Sequence, residues 1–284
     1  MTRLPWIAAL VCLCGTTPQT QQQTFHASTH AVALDVAVLS RGRTVAALDA
    51  ADFEVYDNGV RQTIDSVDRN VLPIQLRLVF DTSGSISEAD LERHRRAMTM
   101  VTSALKPDDL CEIVTFNGRI ADAATAQRPP LVITLRRGTP DGTAFFDAVS
   151  LAMITTSMPD RRQITIVMSD AHDNVSFFDE PTLLEAARRT DAVVYAIVPV
   201  DSVRAVLHAR LEAITLLTGG RLVQSLRPDR TGRLLLEALE EFRQGYVVRY
   251  TLSGVPVPGW HRLTVRLRDN PSYTVRTREG YLGR

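Results

Sequence analysis

Between Ile74 and Phe80 the chain runs almost without interruption through apolar residues, and it ends on Asp81-Thr82-Ser83-Gly84-Ser85. A strand this apolar is covered on both faces, the condition of a strand inside a parallel sheet. The hydroxyls and carboxylate that follow it then fall at the carboxyl edge of the sheet, where open α/β folds bind ligands. Ser87-Glu88-Ala89-Asp90 opens a helix, with Ser87 as N-cap and Asp90 in the capping-box position. Leu91, Met98, Val101 and Leu105 form its buried stripe, and Lys106-Pro107 ends it.

The alternation of strand and helix continues. Residues 110–116 read as a strand with Asn117-Gly118 as its turn, 145–155 as helix, 163–168 as strand, and 181–189 as helix. Residues 192–198 are another buried strand, and 204–217 a helix stopped by Gly219-Gly220. Strands separated by helices pair in parallel through right-handed crossovers. Residues 72–225 are therefore predicted to form a doubly wound, mostly parallel α/β sheet.

The flanks have a different period. Val32, Leu34, Val36 and Val38 alternate with the residues between them, and Asp57-Asn58-Gly59 is a strong hairpin turn. After a last helix, 233–242, Leu263, Val265 and Leu267 alternate with Arg262, Thr264, Arg266 and Arg268. Asp269-Asn270-Pro271-Ser272 turns the chain, and Tyr273, Val275 and Thr277 return. Neither flank is large enough to bury a face alone. The segment 24–71 and the helix and hairpin of 226–284 are expected to pack together, their strands forming a small antiparallel β subdomain. The arginines between 262 and 284 read as a solvated sheet face.

The 284 residues hold 32 Lys+Arg and 32 Asp+Glu, so no bulk charge draws the chain to nucleic acid or an anionic membrane. Leu4 to Gly15 is an apolar run of signal-peptide length behind Arg3, too short to span a bilayer. Residues 1–23 are read as a signal cleaved within Gly15–Gln23. The protein is then exported, periplasmic or secreted, with no transmembrane segment after cleavage. Bulky Leu13 argues against lipidation of Cys14, and Cys111 is the one cysteine of the mature chain, which excludes an internal disulfide. It reads as core filler.

Three oxygen-rich loops belong to this α/β pattern. The first holds Asp81, Ser83 and Ser85, the second is Gly138-Thr139-Pro140-Asp141-Gly142-Thr143, and the third is Ser169-Asp170-Ala171-His172-Asp173. Hard oxygens with little charge suit Mg²⁺, with Mn²⁺ or Ca²⁺ as alternatives. In this order the loops resemble the von Willebrand factor A domain with its metal-ion-dependent adhesion site, and Asp81, Ser83, Ser85, Thr143 and Asp170 match its motif in turn. Leu48 to Val55 with the Asp-Asn-Gly turn, and Arg278-Glu279-Gly280-Tyr281, resemble the flanks of exported A-domain proteins common in Acidobacteria.

The resemblance implies that Ser83, Ser85 and Thr143 hold the ion directly while Asp81 and Asp170 act through water. Such an ion lacks a direct anionic protein ligand, so a protein partner's Asp or Glu carboxylate can complete its shell without any bond being made or broken. One departure is Ala171, where the family usually has Gly. A positive φ there would cost about 1–2 kcal/mol, and Asp173 is an alternative ligand.

Four other readings compete. The Asp81–Ser85 stretch could be a helix-capping turn, or the ion could only stabilise the fold. An aspartic protease also places Asp-Thr after an apolar strand, but it needs Gly where Ser83 stands, a second Asp loop and an all-β fold. A serine hydrolase would need a Gly-x-Ser-x-Gly elbow, which is absent, and His172 lacks triad spacing. His172 is read as a solvent-facing loop residue.

Overall fold

The computed structural model describes residues 30–284 apart from 70–71, 85, 124–125, 132–134, 139–140, 156–157, 159, 199–204, 226, 270–271 and 284. The segment read as an export signal and Ser85 thus lie outside the described residues. Among those described, no helix is long and apolar enough to cross a membrane.

The chain begins with β1 (Ala31–Ser40), β2 (Arg43–Thr44), β3 (Phe53–Asp57), β4 (Val60–Gln62) and β5 (Ile64–Arg69). The α/β unit runs through β6 (Ile74–Asp81), α1 (Glu88–Ser103), β7 (Leu110–Phe116), β8 (Ile120–Ala123), α2 (Phe145–Ile154) and β9 (Arg162–Met168). It continues with α3 (Glu180–Arg189), β10 (Val193–Val198), α4 (Ala205–Thr218), β11 (Leu222–Gln224) and α5 (Thr231–Gln244). The chain closes with β12 (Tyr246–Thr251), β13 (Gly259–Leu267), β14 (Thr274–Arg276) and β15 (Gly280–Gly283).

The central sheet has the order β11-β10-β9-β6-β7-β8, parallel throughout except for the edge strand β8. Its two faces carry separate cores. Leu76, Leu78 and Phe80 of β6 pack with Leu91, Met98 and Val101 of α1 and with Leu235, Leu239 and Phe242 of α5. Val79 points to the other face, against Phe145 and Val149 of α2 and the Leu183 side of α3. The α1 N-terminus forms as its sequence requires, Ser87 accepting from the Asp90 N–H at 3.1 Å. The last helix, α5, packs on α1 and belongs to the α/β layers. Cys111 is buried in this core, and burial, with Glu112 beside it, pushes its thiol up to about 12. An inert thiol is the result.

The β6 run is not wholly apolar. Gln75 and Arg77 share the Val79 side, and both bond to Glu112: the Gln75 amide at 2.6 Å and the Arg77 Nε at 2.6 Å. Paired this way, the three polar groups tolerate burial that none would tolerate alone.

The terminal segments build two further sheets. One runs β14-β1-β12-β5, with β2 on β1, and the other β15-β13-β3-β4. Leu34, Val36 and Val38 of β1 with Tyr246, Val248 and Tyr250 of β12 face Phe53, Val55, Leu263 and Val265 of the second sheet. The strand β12 is the one least visible in the sequence pattern, since Gly245 alone separates it from α5. Arg262, Arg266 and Arg268 are exposed, as the alternation predicts. Arg276 and Arg278 are not: the tail passes under α3, where Arg278 donates to the Arg188 and Thr190 carbonyls at 3.3 and 2.9 Å. Arg276 meets Glu241 of α5.

A buried carboxylate joins the two chain ends. Asp57, fully buried at the hairpin turn, accepts from the Tyr250 hydroxyl at 2.7 Å and the Tyr281 hydroxyl at 2.8 Å. His261 Nδ1 lies 2.7 Å from its other oxygen. The turn itself needs positive φ at Asn58 and Gly59, 46° and 81°, as the hairpin type demands. Removing one partner from such a buried charged cluster strands the others. Asp57→Ala is expected to lose about 3–5 kcal/mol of unfolding free energy, and Tyr281→Phe about 1 kcal/mol, measured by urea denaturation. Equal losses would show that the carboxylate is not the centre of the network.

Candidate metal centre

The site begins where β6 ends. Asp81, Thr82 and Ser83 are all buried, at 5%, 1% and 3% exposure. The Ser83 N–H donates to Asp81 Oδ1 at 2.9 Å, which folds the turn tightly behind the strand. The Thr82 N–H and hydroxyl both reach the Phe116 carbonyl at the end of β7, 2.8 and 3.0 Å away. This strand-end loop is thereby fixed to its parallel neighbour.

The second loop is tied to the first. The Gly138 N–H donates to the Thr82 carbonyl at 2.8 Å, and Arg137 Nη2 to the Gly84 carbonyl at 2.8 Å. At its far end the Ala144 N–H reaches the Asn117 carbonyl, 2.6 Å away. Gly138 has no room for a side chain, since a Cβ would stand 2.2 Å from the Asn117 amide nitrogen.

The third loop clamps the second from the other side. The Thr143 N–H donates to Asn174 Oδ1 at 2.8 Å, and the Asn174 N–H to the Thr143 carbonyl at 3.1 Å. Asp173 Oδ2 accepts from the Phe146 N–H at 2.9 Å, capping α2, whose N-cap residue Ala144 has no side chain able to do so. Asp147 in turn accepts from the Phe177 and Phe178 N–H groups at 3.0 and 2.9 Å. Thr143, 6% exposed, is held by this stitching.

Asp81 is joined to the third loop by Ser169, whose hydroxyl donates to Asp81 Oδ2 at 3.2 Å and accepts the Ala171 N–H at 3.0 Å. Burial raises the Asp81 carboxyl above its ordinary 3.8. Hydrogen bonds from Ser83 and Ser169 act against this, and the negative charge of Asp170 adds to it. Two guanidinium groups stand at the edges of these loops, Arg137 on the Gly84 carbonyl at 2.8 Å and Arg210 on the Ala171 carbonyl at 3.0 Å. Asp81 and Asp170 thus stand near enough for their charges to repel, beside the buried Ser83 and Ser169 hydroxyls. Four of the five residues expected from the sequence, Asp81, Ser83, Thr143 and Asp170, lie on these three joined loops; Ser85 is outside the described residues.

No protein-family model matches the sequence, and no curated protein does. Solved structures do match the fold. Two structures of proximal thread matrix protein 1 from the mussel byssus align at 13% identity and a TM-score of 0.50, over 61% of this chain and 48% of theirs. In one of them the metal-ion-dependent adhesion site is occupied by zinc. A von Willebrand factor type A protein from Catenulispora acidiphila aligns over 82% of this chain and 74% of its own, at 12% identity and a TM-score of 0.49. The α/β core has the von Willebrand factor A fold. The chain spans about half the length of the mussel protein, 48%.

Within that A-domain fold the donor set fits a hard divalent cation. Hydroxyl oxygens and carboxylates suit Mg²⁺, Mn²⁺ or Ca²⁺, and a cation would offset the repulsion between Asp81 and Asp170. Among the described residues no group of three or more His, Cys, Asp or Glu is arranged to hold a metal, so an ion here would depend on hydroxyl oxygens as well as carboxylates. The aspartic-protease reading needed an all-β frame, and the A-domain sheet is not one.

Ala171 does take the left-handed conformation, φ 61°, at the position where the family usually has Gly. The strain of about 1–2 kcal/mol is partly offset, because its methyl is fully buried in the α2 and α3 core, and a buried carbon of that size contributes about 0.8 kcal/mol. Asp173, the alternative ligand, is already committed to α2 and to Ser176. His172 is half-buried rather than fully solvent-facing. Sequence reasoning placed Ser169 in the third loop without a role and missed Asn174 and Asp147. The signal was weak: each is a polar residue near the end of an apolar or helical run, and only its partner reveals its use.

Two expectations follow from this geometry. A carboxyl whose folded pKa is raised favours the folded state below its unfolded pKa and loses that contribution as pH rises through the folded value. In EDTA at pH 7, Asp81→Asn should therefore melt above the wild type, and the gap should close as pH falls towards 4. A gap that widens on acidification would reverse the sign of the argument. Gly142 has φ 114°, and a Cβ there would stand 2.7 Å from Val175 and 2.8 Å from Asn174 Oδ1. Gly142→Ala is expected to cost about 1–3 kcal/mol in chemical denaturation by pushing away the acceptor that holds Thr143; an unchanged midpoint would show the loop to be loose.

Proposed function

We propose that this chain is an exported adhesion module that binds a protein partner through a divalent ion at the carboxyl edge of its parallel sheet. The observation that supports this most is that buried Asp81 feels the charge of Asp170 on a neighbouring loop, with buried Ser83 and Thr143 on loops bonded to the same sheet edge. Ser83 and Thr143, with Ser85, would supply neutral oxygens to the ion, and Asp81 and Asp170 would hold its waters. The zinc-occupied adhesion site of the mussel protein supports the same reading on the shared fold. Mg²⁺ is the ion best matched to hydroxyl and water oxygens.

An ion held mainly by neutral protein oxygens keeps most of its charge, so a carboxylate from outside gains more from it than water does. The protein's own part is to hold the hydroxyls still and to keep other anions of the chain away from the vacant side. No bond need be made or broken, and the activity is recognition. The apolar run of residues 4–15 supports export.

In thermal melts, Mg²⁺ or Mn²⁺ at a hundredfold excess over Kd should stabilise the wild type by about 2.7 kcal/mol. Thr143→Ala and Ser83→Ala should lose that shift. Equal shifts in all three proteins would place the ion elsewhere, and capture of an acidic partner that survives EDTA would leave the ion a stabilising role only.

A further inference from the structure

A crevice of about 490 Å³ opens between the outer face of β1 and β12 and the amino ends of β9 and β10, where the sheet's opposite edge meets the β sandwich. The candidate metal loops lie at the opposite, carboxyl edge of this sheet, after β6 and β9. We propose that this crevice binds a small carboxylate that also carries a hydroxyl or amino group.

Two unpartnered buried atoms point to such a ligand. Arg161 Nη1 donates to the Asp108 carbonyl, but its Nε has no hydrogen-bond partner although the side chain is only 9% exposed, and the nearest carboxylate, Asp160, stands 3.9 Å away. Gln163 Oε1 is likewise unpartnered, while its amide nitrogen donates to the Met158 and Arg161 carbonyls at 3.1 and 3.3 Å. With the nitrogen so placed, the oxygen cannot exchange with it. The start of β9 thus offers the crevice both a charged donor and a buried acceptor. Leaving such groups unsatisfied is costly, and native proteins seldom do so without a use.

Basic side chains outnumber acidic ones in the lining, where Asp35 and Asp191 face four arginines. Arg161, Arg162 and Arg278 line the crevice with side chains 9%, 4% and 14% exposed. The carboxylates nearest to Arg161 and Arg278, Asp160 and Asp191, are 71% and 75% exposed and screened by water. Arg162 is matched by Asp35 at 2.6 Å and Arg249 by Asp68, so those pairs add little. What remains is a guanidinium edge in a partly closed space whose volume falls in the range of small-molecule sites. A carboxylate answers Arg161, and an adjacent hydroxyl or amine answers Gln163.

The test is calorimetric titration in EDTA, so that the metal site plays no part, with lactate, malate and glycine against acetate and inorganic phosphate. At least one of the first three should bind more tightly than acetate. Arg161→Met, which keeps the aliphatic stem, should weaken it about tenfold or more. Gln163→Leu should erase its advantage over acetate. The proposal fails if none of the three binds the wild type, if acetate binds as well, if phosphate alone binds, or if Arg161→Met binds unchanged. Heats from the wild type decide the matter even if a variant fails to fold.

Discussion

The buried carboxylate of Asp81 is the constraint on which the site depends. It sits at the end of a strand covered on both faces, and burial already disfavours its charge before Asp170 adds a second one. The surrounding loops offset this only in part, arranging N–H and hydroxyl groups around it and around Thr143. A fold that tolerates this arrangement gives up stability locally. Such concessions gather where a site must bind something.

The rest of the α/β unit can be read as what makes that concession affordable. Two apolar cores, one on each face of the sheet, hold β6 between α1 with α5 and α2 with α3. The three loops then have little freedom, because each is bonded to a strand end or to a helix start outside itself. The β sandwich does similar work at the opposite end, where Asp57 ties the hairpin at residues 57–59 to the chain terminus through Tyr281. The crevice with Arg161 and Gln163 lies where these two units meet.

Much of this was legible in the sequence. Helix α1 followed from Ser87, Asp90 and the stripe of Leu91, Met98 and Val101, because capping and period pointed the same way. The hairpin followed from Asn58-Gly59. The strand β12 was not legible: it is buried in the sandwich, so Tyr246-Val247-Val248 shows no clean alternation, and no turn residues beyond Gly245 set it off from α5. Arg276 and Arg278 misled because strand alternation says which side a residue faces, but not what lies on that side. At the site, residue types in order marked Asp81, Ser83, Thr143 and Asp170. Ser169 and Asn174 were silent, since a hydrogen bond between residues 88 or 31 positions apart leaves no local pattern.

The most direct measurement is anomalous diffraction from crystals soaked in Mn²⁺, recorded at the manganese edge. The account expects one strong peak among Asp81, Ser83, Thr143 and Asp170, absent from crystals of the Asp81→Ala protein. A peak at any other place on the molecule, or none at these four residues at saturating Mn²⁺, would contradict it.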